Sequence, residues 1–213
     1  GAILLDIANR LTVHGAVTAN GGKGQGGGGS GGGIFITCDT IAGNGGVIRA
    51  NAGTLRKNEG GQVSSGGGGG RVAVIYNSDA QQALPKPAIR CSALRGCADP
   101  SNKADALERN GGQGTVFFTD AQLMQTTFQY PDGGNFLGFD AWSVSDLTIL
   151  SSNQVYTGAN LSPNNEDNTF VALSSCTNLT VAGNLQLSAR ARLDISNAVL
   201  SANGITLLTN SWL

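Results

Sequence analysis

The chain has 213 residues, a formal net charge of −1, 33 glycines, 40% hydrophobic residues and only 13% charged ones. That apolar content supplies a core and argues against wholesale disorder. There is no basic block to hold nucleic acid and no apolar run long enough to cross a bilayer. Low charge with abundant Gly, Ala, Asn, Ser and Thr fits wound, repetitive extracellular β structure better than a cytosolic enzyme.

The chain opens on "GAILLDI", a strand-like start with no signal peptide, which reads as a mature or internal fragment. Gly15 to Gly22, "GAVTANGG", is echoed by Gly46 to Gly53, "GVIRANAG", at an offset of 31 (Gly15 to Gly46). Ala2-Ile3-Leu4-Leu5 is echoed by Gly33-Ile34-Phe35-Ile36 at the same offset. Two segments with one spacing imply a repeating unit. A glycine run followed by a strand then recurs: "GGGGSGGGIFIT", "SSGGGGGRVAVIY" (Ser64 to Tyr76) and "NGGQGTVFFTD" (Asn110 to Asp120).

These runs sit at one phase of the repeat, just ahead of a strand, which is not where a tether belongs. The runs are therefore expected to be ordered, extended segments packed on one another or on the body of the fold, with a polyproline-II-like form as one option. A phosphate loop is excluded: Lys23 has no Ser or Thr after it, and the glycines precede strands instead of following them.

The segment from Leu84 to Arg109 interrupts the pattern and carries Cys91 and Cys97, which bracket "SALRG". A disulfide between them would close a short loop. Cys38 and Cys176 are left to meet in a stacked fold, to bond to another chain, or to stay buried thiols; pairing is open on sequence alone. An oxidising compartment is expected.

In the last third, Asp146-Leu147-Thr148-Ile149 resembles Asn178-Leu179-Thr180-Val181 at an offset of 32 (Asp146 to Asn178). Asn178 to Leu187 resembles Ala198 to Leu207 at 20 (Asn178 to Ala198). Strict alternation in "LTV", "LQL", "LDI" and "ITL" gives strands with one buried face, and Asn/Gly turns follow each.

Strands this short cannot bury their inner faces singly, so stacking them rung on rung predicts an all-β, parallel β-helix with glycine-rich loops. The expected inward residues are Ile3, Leu5, Leu11, Val13, Val17, Ile34, Ile36, Ile48, Val72, Val74, Val116, Phe118, Leu147, Ile149, Leu179, Val181, Leu185, Leu187, Leu193, Ile195, Ile205 and Leu207. A β-sandwich is the alternative. Residues 1–120 form glycine-rich coils with the cysteine-bearing insertion at 84–109, and 121–213 continue with longer loops.

"GGGGSGGGIFIT", "IAGNGGVIRANAG", "GGGGGRVAVIY" and "NGGQGTVFFTD" together resemble the glycine-rich coils of very large secreted surface proteins of bacteria and protists, of tenascin-like or mastigoneme type. The resemblance covers Gly1 to Asp120. It implies a right-handed parallel β-helix in an adhesin-like or structural surface protein. The insertion and the less glycine-rich last third depart from it.

Residues with chemistry are few. His14 is the lone histidine, with no nucleophile in a recognisable elbow. The acidic cluster Asn164 to Asn168 offers oxygen ligands but reads as a solvated loop. Asp6, Asp39, Asp120, Asp146 and Asp194 stand singly, without the paired carboxylates of a glycosidase. Trp142, Tyr130 and Phe139 are the aromatics able to stack on sugars, or else a hydrophobic plug with Phe136. Asn178 and Asn160 begin glycosylation sequons, the second followed by Pro163. The expectation is a non-enzymatic extracellular fibre segment or adhesin without cofactor. Its partners would be further copies, neighbouring segments of a larger chain, or surface glycans, and not nucleic acid or a membrane. A glycan-binding module or polysaccharide-active enzyme is the alternative.

Overall fold

The computed structural model describes residues 1–24, 27–53, 65–96, 111–150, 169–188, 191–196, 198–208 and 211–213. Its strands are β1 (Ala2–Asp6), β2 (Arg10–Thr12), β3 (Ala16–Thr18), β4 (Gly33–Thr37), β5 (Thr40–Ala42), β6 (Asn44–Arg49), β7 (Arg71–Ile75), β8 (Ala88–Ser92), β9 (Thr115–Phe118) and β10 (Thr127–Gln129). They continue as β11 (Gly134–Leu137), β12 (Ala141–Val144), β13 (Leu147–Leu150), β14 (Phe170–Ala172), β15 (Asn178–Leu187), β16 (Arg192–Asp194) and β17 (Val199–Leu207). One helical turn, α1 (Ser78–Gln82), and a 3-10 turn at Ala121–Leu123 interrupt them. The protein is all-β, built of several parallel sheets.

Every strand pairing among the described residues is parallel. This rules out the sandwich alternative, whose sheets are antiparallel. The largest sheet runs β1-β4-β7-β9-β11-β14-β16. A three-stranded sheet runs β3-β6-β8, a two-stranded one β2-β5, and β10, β13, β15, β12 and β17 make the last. Strands of one sheet are separated in sequence by strands of the others: β1, β4 and β7 alternate with β2 and β5 and with β3, β6 and β8, and from β10 onward the fourth sheet takes the place of the two smaller ones.

The register explains the echoes in the sequence. Ala2 pairs with Gly33 and Ile3 with Ile34, and Val17 pairs with Ile48, all at the offset of 31. Ile3, Ile34, Val72, Val116 and Phe136 form one inward row. Alternation does the rest: in β4 and β7 the inward residues Ile34, Ile36, Val72 and Val74 are buried while Phe35 and Ile75 face out. Each such side chain contributes roughly 1.5–3 kcal/mol by leaving water. One continuous core joins all the sheets, from Val13 to Leu193.

The last third departs from its expected spacing. Leu147 pairs with Leu185 and Trp142 with Leu179, not Leu147 with Leu179. The single long strand β15 spans the places that β12 and β13 occupy separately, so one corner is flattened and the apparent 32-residue spacing is not structural. β15 and β17 pair at an offset of 21 from Asn178 through Val181 and of 20 from Asn184 onward, with a bulge between.

The expected insertion also needs revision, for Ala88–Ser92 is β8, a full member of the three-stranded ladder. What is inserted is α1, which stands where a third strand would join β2-β5. Asn77 caps it by accepting from Ala80 N, and buried Gln81 accepts from Ile41 N at 2.8 Å, satisfying the β5 edge with a side chain.

The glycine runs are ordered and interlocked. Gly32, Gly70 and Gly114, which immediately precede β4, β7 and β9, donate to Ala19, Ala50 and Ala93 in turn. Run-to-run bonds repeat alongside: Gly31 N to Gly68 O and Gly69 N to Gly112 O, both 2.9 Å. Gly53 N reaches Gly29 O at 2.8 Å, and Gly96 N reaches Gly67 O at 2.8 Å. Segments packed backbone to backbone leave no room for side chains: a Cβ on Gly31 would overlap Ala50 O, and one on Gly67 would overlap Gly29 O. Glycine's high ordering entropy is offset by these hydrogen bonds.

Candidate functional site

Polar side chains gather in two places. The first is a groove of about 370 Å³ lined by Gln82, Leu84, Lys86, Pro87, Asp120, Ala121, Gln122, Trp142 and Ser143. It forms where α1 and the 3-10 turn replace strands, so irregular backbone creates the concavity.

Asp120 organises the groove. Its carboxylate accepts from Gln122 N and Gln122 Nε2, both at 2.8 Å, and from the Tyr76 hydroxyl. Burial works to raise the Asp120 carboxyl, but hydrogen bonds from Ser78, Tyr76 and Gln122 outweigh it and hold it below the ordinary carboxylate range. Tyr76 is pushed far above the usual phenol range, first by burial and then by Asp120. Gln122 Nε2 also donates to Ser78 O at 3.1 Å. Lys86 Nζ donates to Met124 O at 2.5 Å, and burial lowers its pKa. The lining holds one carboxylate, already engaged by its neighbours, so the two-carboxylate arrangement of a glycosidase is not assembled here. What the groove presents to a ligand is an ammonium, amides and a hydroxyl.

The second place is a clamp. Asp132, 1% exposed, meets Arg49 Nη2 at 2.8 Å and Arg90 Nη1 at 3.2 Å, tying the segment after β10 to β6 and β8. Beside it Asn51 accepts from Ser92 Oγ and Leu94 N, both 2.8 Å, and donates from Nδ2 to Pro131 O at 3.0 Å. Asn51 N in turn donates to Asn20 Oδ1 at 2.8 Å, the 31-residue offset again. This is a fastening: every charge faces its opposite. The recurring "AN" dipeptide was its sequence signal; nothing in the sequence paired Asp132 with two arginines.

Of the aromatics read as sugar platform or plug, Trp142 is 3% exposed and Phe139 6%, both in one core with Phe128 and Phe136, which meet edge to face at 5.4 Å. Burial favours the plug for these two, although Trp142 also borders the groove, and Tyr130 is half-buried. The drive to bury large aromatic surfaces outcompetes display.

His14 is exposed and its Nδ1 accepts from Asn44 N at 3.2 Å. Asn178 begins β15 on the surface; Asn160 and the acidic cluster 164–168 lie outside the described residues. Cys38, Cys91 and Cys176 are buried free thiols. Cys97, the expected partner of Cys91, lies outside the described residues, so that disulfide finds neither support nor test. The Cys91 thiol is pushed up to about 12 by burial and by the Asp132 charge, with Arg49 opposing. Among the described residues no group of three or more His, Cys, Asp or Glu is placed to share a metal ion.

Sheet edges and one sheet face are the other features. β1 and β16 end the largest sheet, with β16 covered only by a single bridge from Trp212 to Arg192. At the β17 edge Ile205 and Leu207, in register with fully buried Leu185 and Leu187, are 50% and 49% exposed. Both were expected inward; they point that way but have no strand stacked beyond them. Ile3, Leu5, Leu11 and Val17 are likewise only partly buried at the opposite edge.

Comparisons with models of protein families, with curated proteins and with solved structures each give no match.

Proposed function

We propose that the chain winds as a right-handed parallel β-helix and serves as a non-enzymatic, extracellular structural segment of a surface fibre or adhesin. Support for the winding comes from parallel ladders in which the chain returns to the largest sheet after each excursion into the others, and from one core common to all of them. The handedness follows the resemblance to glycine-rich surface coils.

The observation that carries the structural role is the pair of open edges. Among the described residues, β1 and β17 each pair on one side only, and inward residues on them, such as Ile3, Leu5, Ile205 and Leu207, are left partly in water. Such an edge is a template for another strand. A further coil of the same polypeptide or the end of a second copy would extend each ladder at its own spacing, and repetition of a head-to-tail contact makes a filament. Electron microscopy and sedimentation of the purified chain at high concentration test this. Open-ended oligomers that shorten when Ile205→Lys charges the β17 edge are expected. Particles of uniform, single-chain size at every concentration would refute it.

A second reading, glycan binding, rests on the groove. Lys86, Gln82, Gln122 and Ser143 are hydrogen-bonding groups suited to hydroxyls and acidic sugars. Retention on immobilised acidic polysaccharide that falls with Lys86→Ala would favour it; equal retention by both proteins would dismiss it.

A further inference from the structure

The outer face of the largest sheet carries an apolar row. Leu4, Phe35, Ala73, Phe117 and Leu137 occupy one register position on β1, β4, β7, β9 and β11. Leu4 is 71% exposed, Phe35 42% and Phe117 38%. Ile75, also exposed, lies two residues along β7 on the same face. Across these five strands the outward positions hold two charges, Asp6 and Arg71, and Asp6 is engaged by Thr37 Oγ1 at 2.5 Å. Four strand spacings make the row about 19 Å long. A contiguous apolar row of that length, free of charge along its length, is what marks a contact surface on a soluble protein.

We infer that this face pairs with the same face of a second copy, side by side, in a two-fold dimer distinct from any end-to-end stacking. The occupant follows from the row's own pattern. It reads large, large, small, large, large, with Ala73 a notch between two phenylalanines. Consider a two-fold axis parallel to the strands and midway between β7 and β9. It sets Phe117 of each copy into the Ala73 notch of the other and Phe35 against Leu137. Under the same operation Arg71 faces Thr115, and Asp6 falls past the end of β14, at the register level of the uncharged Cys176. No like charges meet. The repeat spacing of both faces is identical, so the fit holds from Phe35 to Leu137, which a partner of another architecture would not match.

Six overlapping strands of about five residues give a footprint of roughly 500 Å² per copy. Twice that sits at the lower limit for a specific interface of about 1,000 Å². The dimer is therefore weak and concentration-dependent.

Sedimentation equilibrium over a wide concentration range tests the pairing. The wild-type chain shows a monomer–dimer step, and Ala73→Arg, which fills the notch with a charge, weakens it by about tenfold or more. Phe117→Ser provides a second, milder disruption at an exposed site, with circular dichroism confirming the fold of both. An equimolar mixture of Ala73→Cys and Phe117→Cys chains forms cross-linked dimers under mild oxidation, whereas Ala73→Cys alone does not, because position 73 faces 117 of the other copy and not itself. The inference is overturned by a chain that stays monomeric or only elongates end to end, by a dimer indifferent to both substitutions, or by cross-linking of Ala73→Cys alone. It is equally overturned if the face binds phosphatidylcholine vesicles as a monomer. Ile205→Lys separates the two associations: it shortens filaments and leaves the lateral dimer intact.

Discussion

The chain solves one packing problem in two ways, divided near Gly114. Before that point the inward rows are Ile and Val, and neighbouring passes are joined by glycine segments in direct backbone contact. After it, Phe118, Phe128, Phe136, Phe139 and Trp142 join the aliphatic residues of the interior, and the glycine layer dwindles to Gly133 and Gly134. The first region is held by hydrogen bonds that repeat from pass to pass; the second is held by large side chains that interlock. The first should fail when an atom is added, the second when atoms are removed.

The largest effect is therefore expected in the aromatic region. Phe128→Ala removes a fully buried ring from contact with Phe136 and should lower unfolding free energy by about 4 kcal/mol, read by urea titration. Next comes the mirror experiment: Gly67→Ala adds one methyl where Gly29 O already sits and should cost about 3 kcal/mol. Gly112→Ala, where a Cβ meets nothing within 4 Å, should stay within about 0.5 kcal/mol of wild type. If the two glycine variants behave alike, the contrast between the regions is wrong.

The seam between the regions is sharpened by Asp132, which belongs to the second and binds arginines of the first. Asp132→Ala leaves Arg49 largely buried without its partner and should cost about 2 kcal/mol, half-exposed Arg90 adding little. Arg90→Ala should therefore cost less than Asp132→Ala, measured by the same titration.

The smallest effect is in pH dependence. Cys91 in the first region has its folded pKa raised from the ordinary 9.0 to about 12, so its share of stability is complete below about pH 9. That share is lost as pH climbs toward 12. Tyr76 acts in the same direction from its ordinary 10.0 upward. Asp120 is depressed below its ordinary 3.8, so its share is present above that value and lost as pH falls further. A urea midpoint that declines above pH 9 in wild type, and less steeply in Cys91→Val, is the expected result.

The glycine-rich region was the more legible in sequence, for a physical reason. A backbone layer admits one residue type, and ladders in register repeat their inward residues, so Ile3 over Ile34 and Val17 over Ile48 could be read from spacing alone. The aromatic region hides its register because a large side chain fills space in several orientations and the sequence need not repeat to keep the core full. Hence the false 32-residue echo between Leu147 and Leu179. Trp142 illustrates the same limit: an aromatic cluster reads equally as platform or plug until burial is known. The groove was invisible because it arises where α1 displaces a strand, bringing Lys86 beside Gln122 across 36 residues of sequence.

The glycine layer also sets how this molecule can change over generations. Wherever backbone touches backbone, any codon change away from glycine introduces atoms with nowhere to go. Those stretches tolerate little substitution, whereas outward positions on the adjoining strands meet no facing backbone and can change without disturbing the layer. Innovation in such a protein is channelled onto its sheet faces.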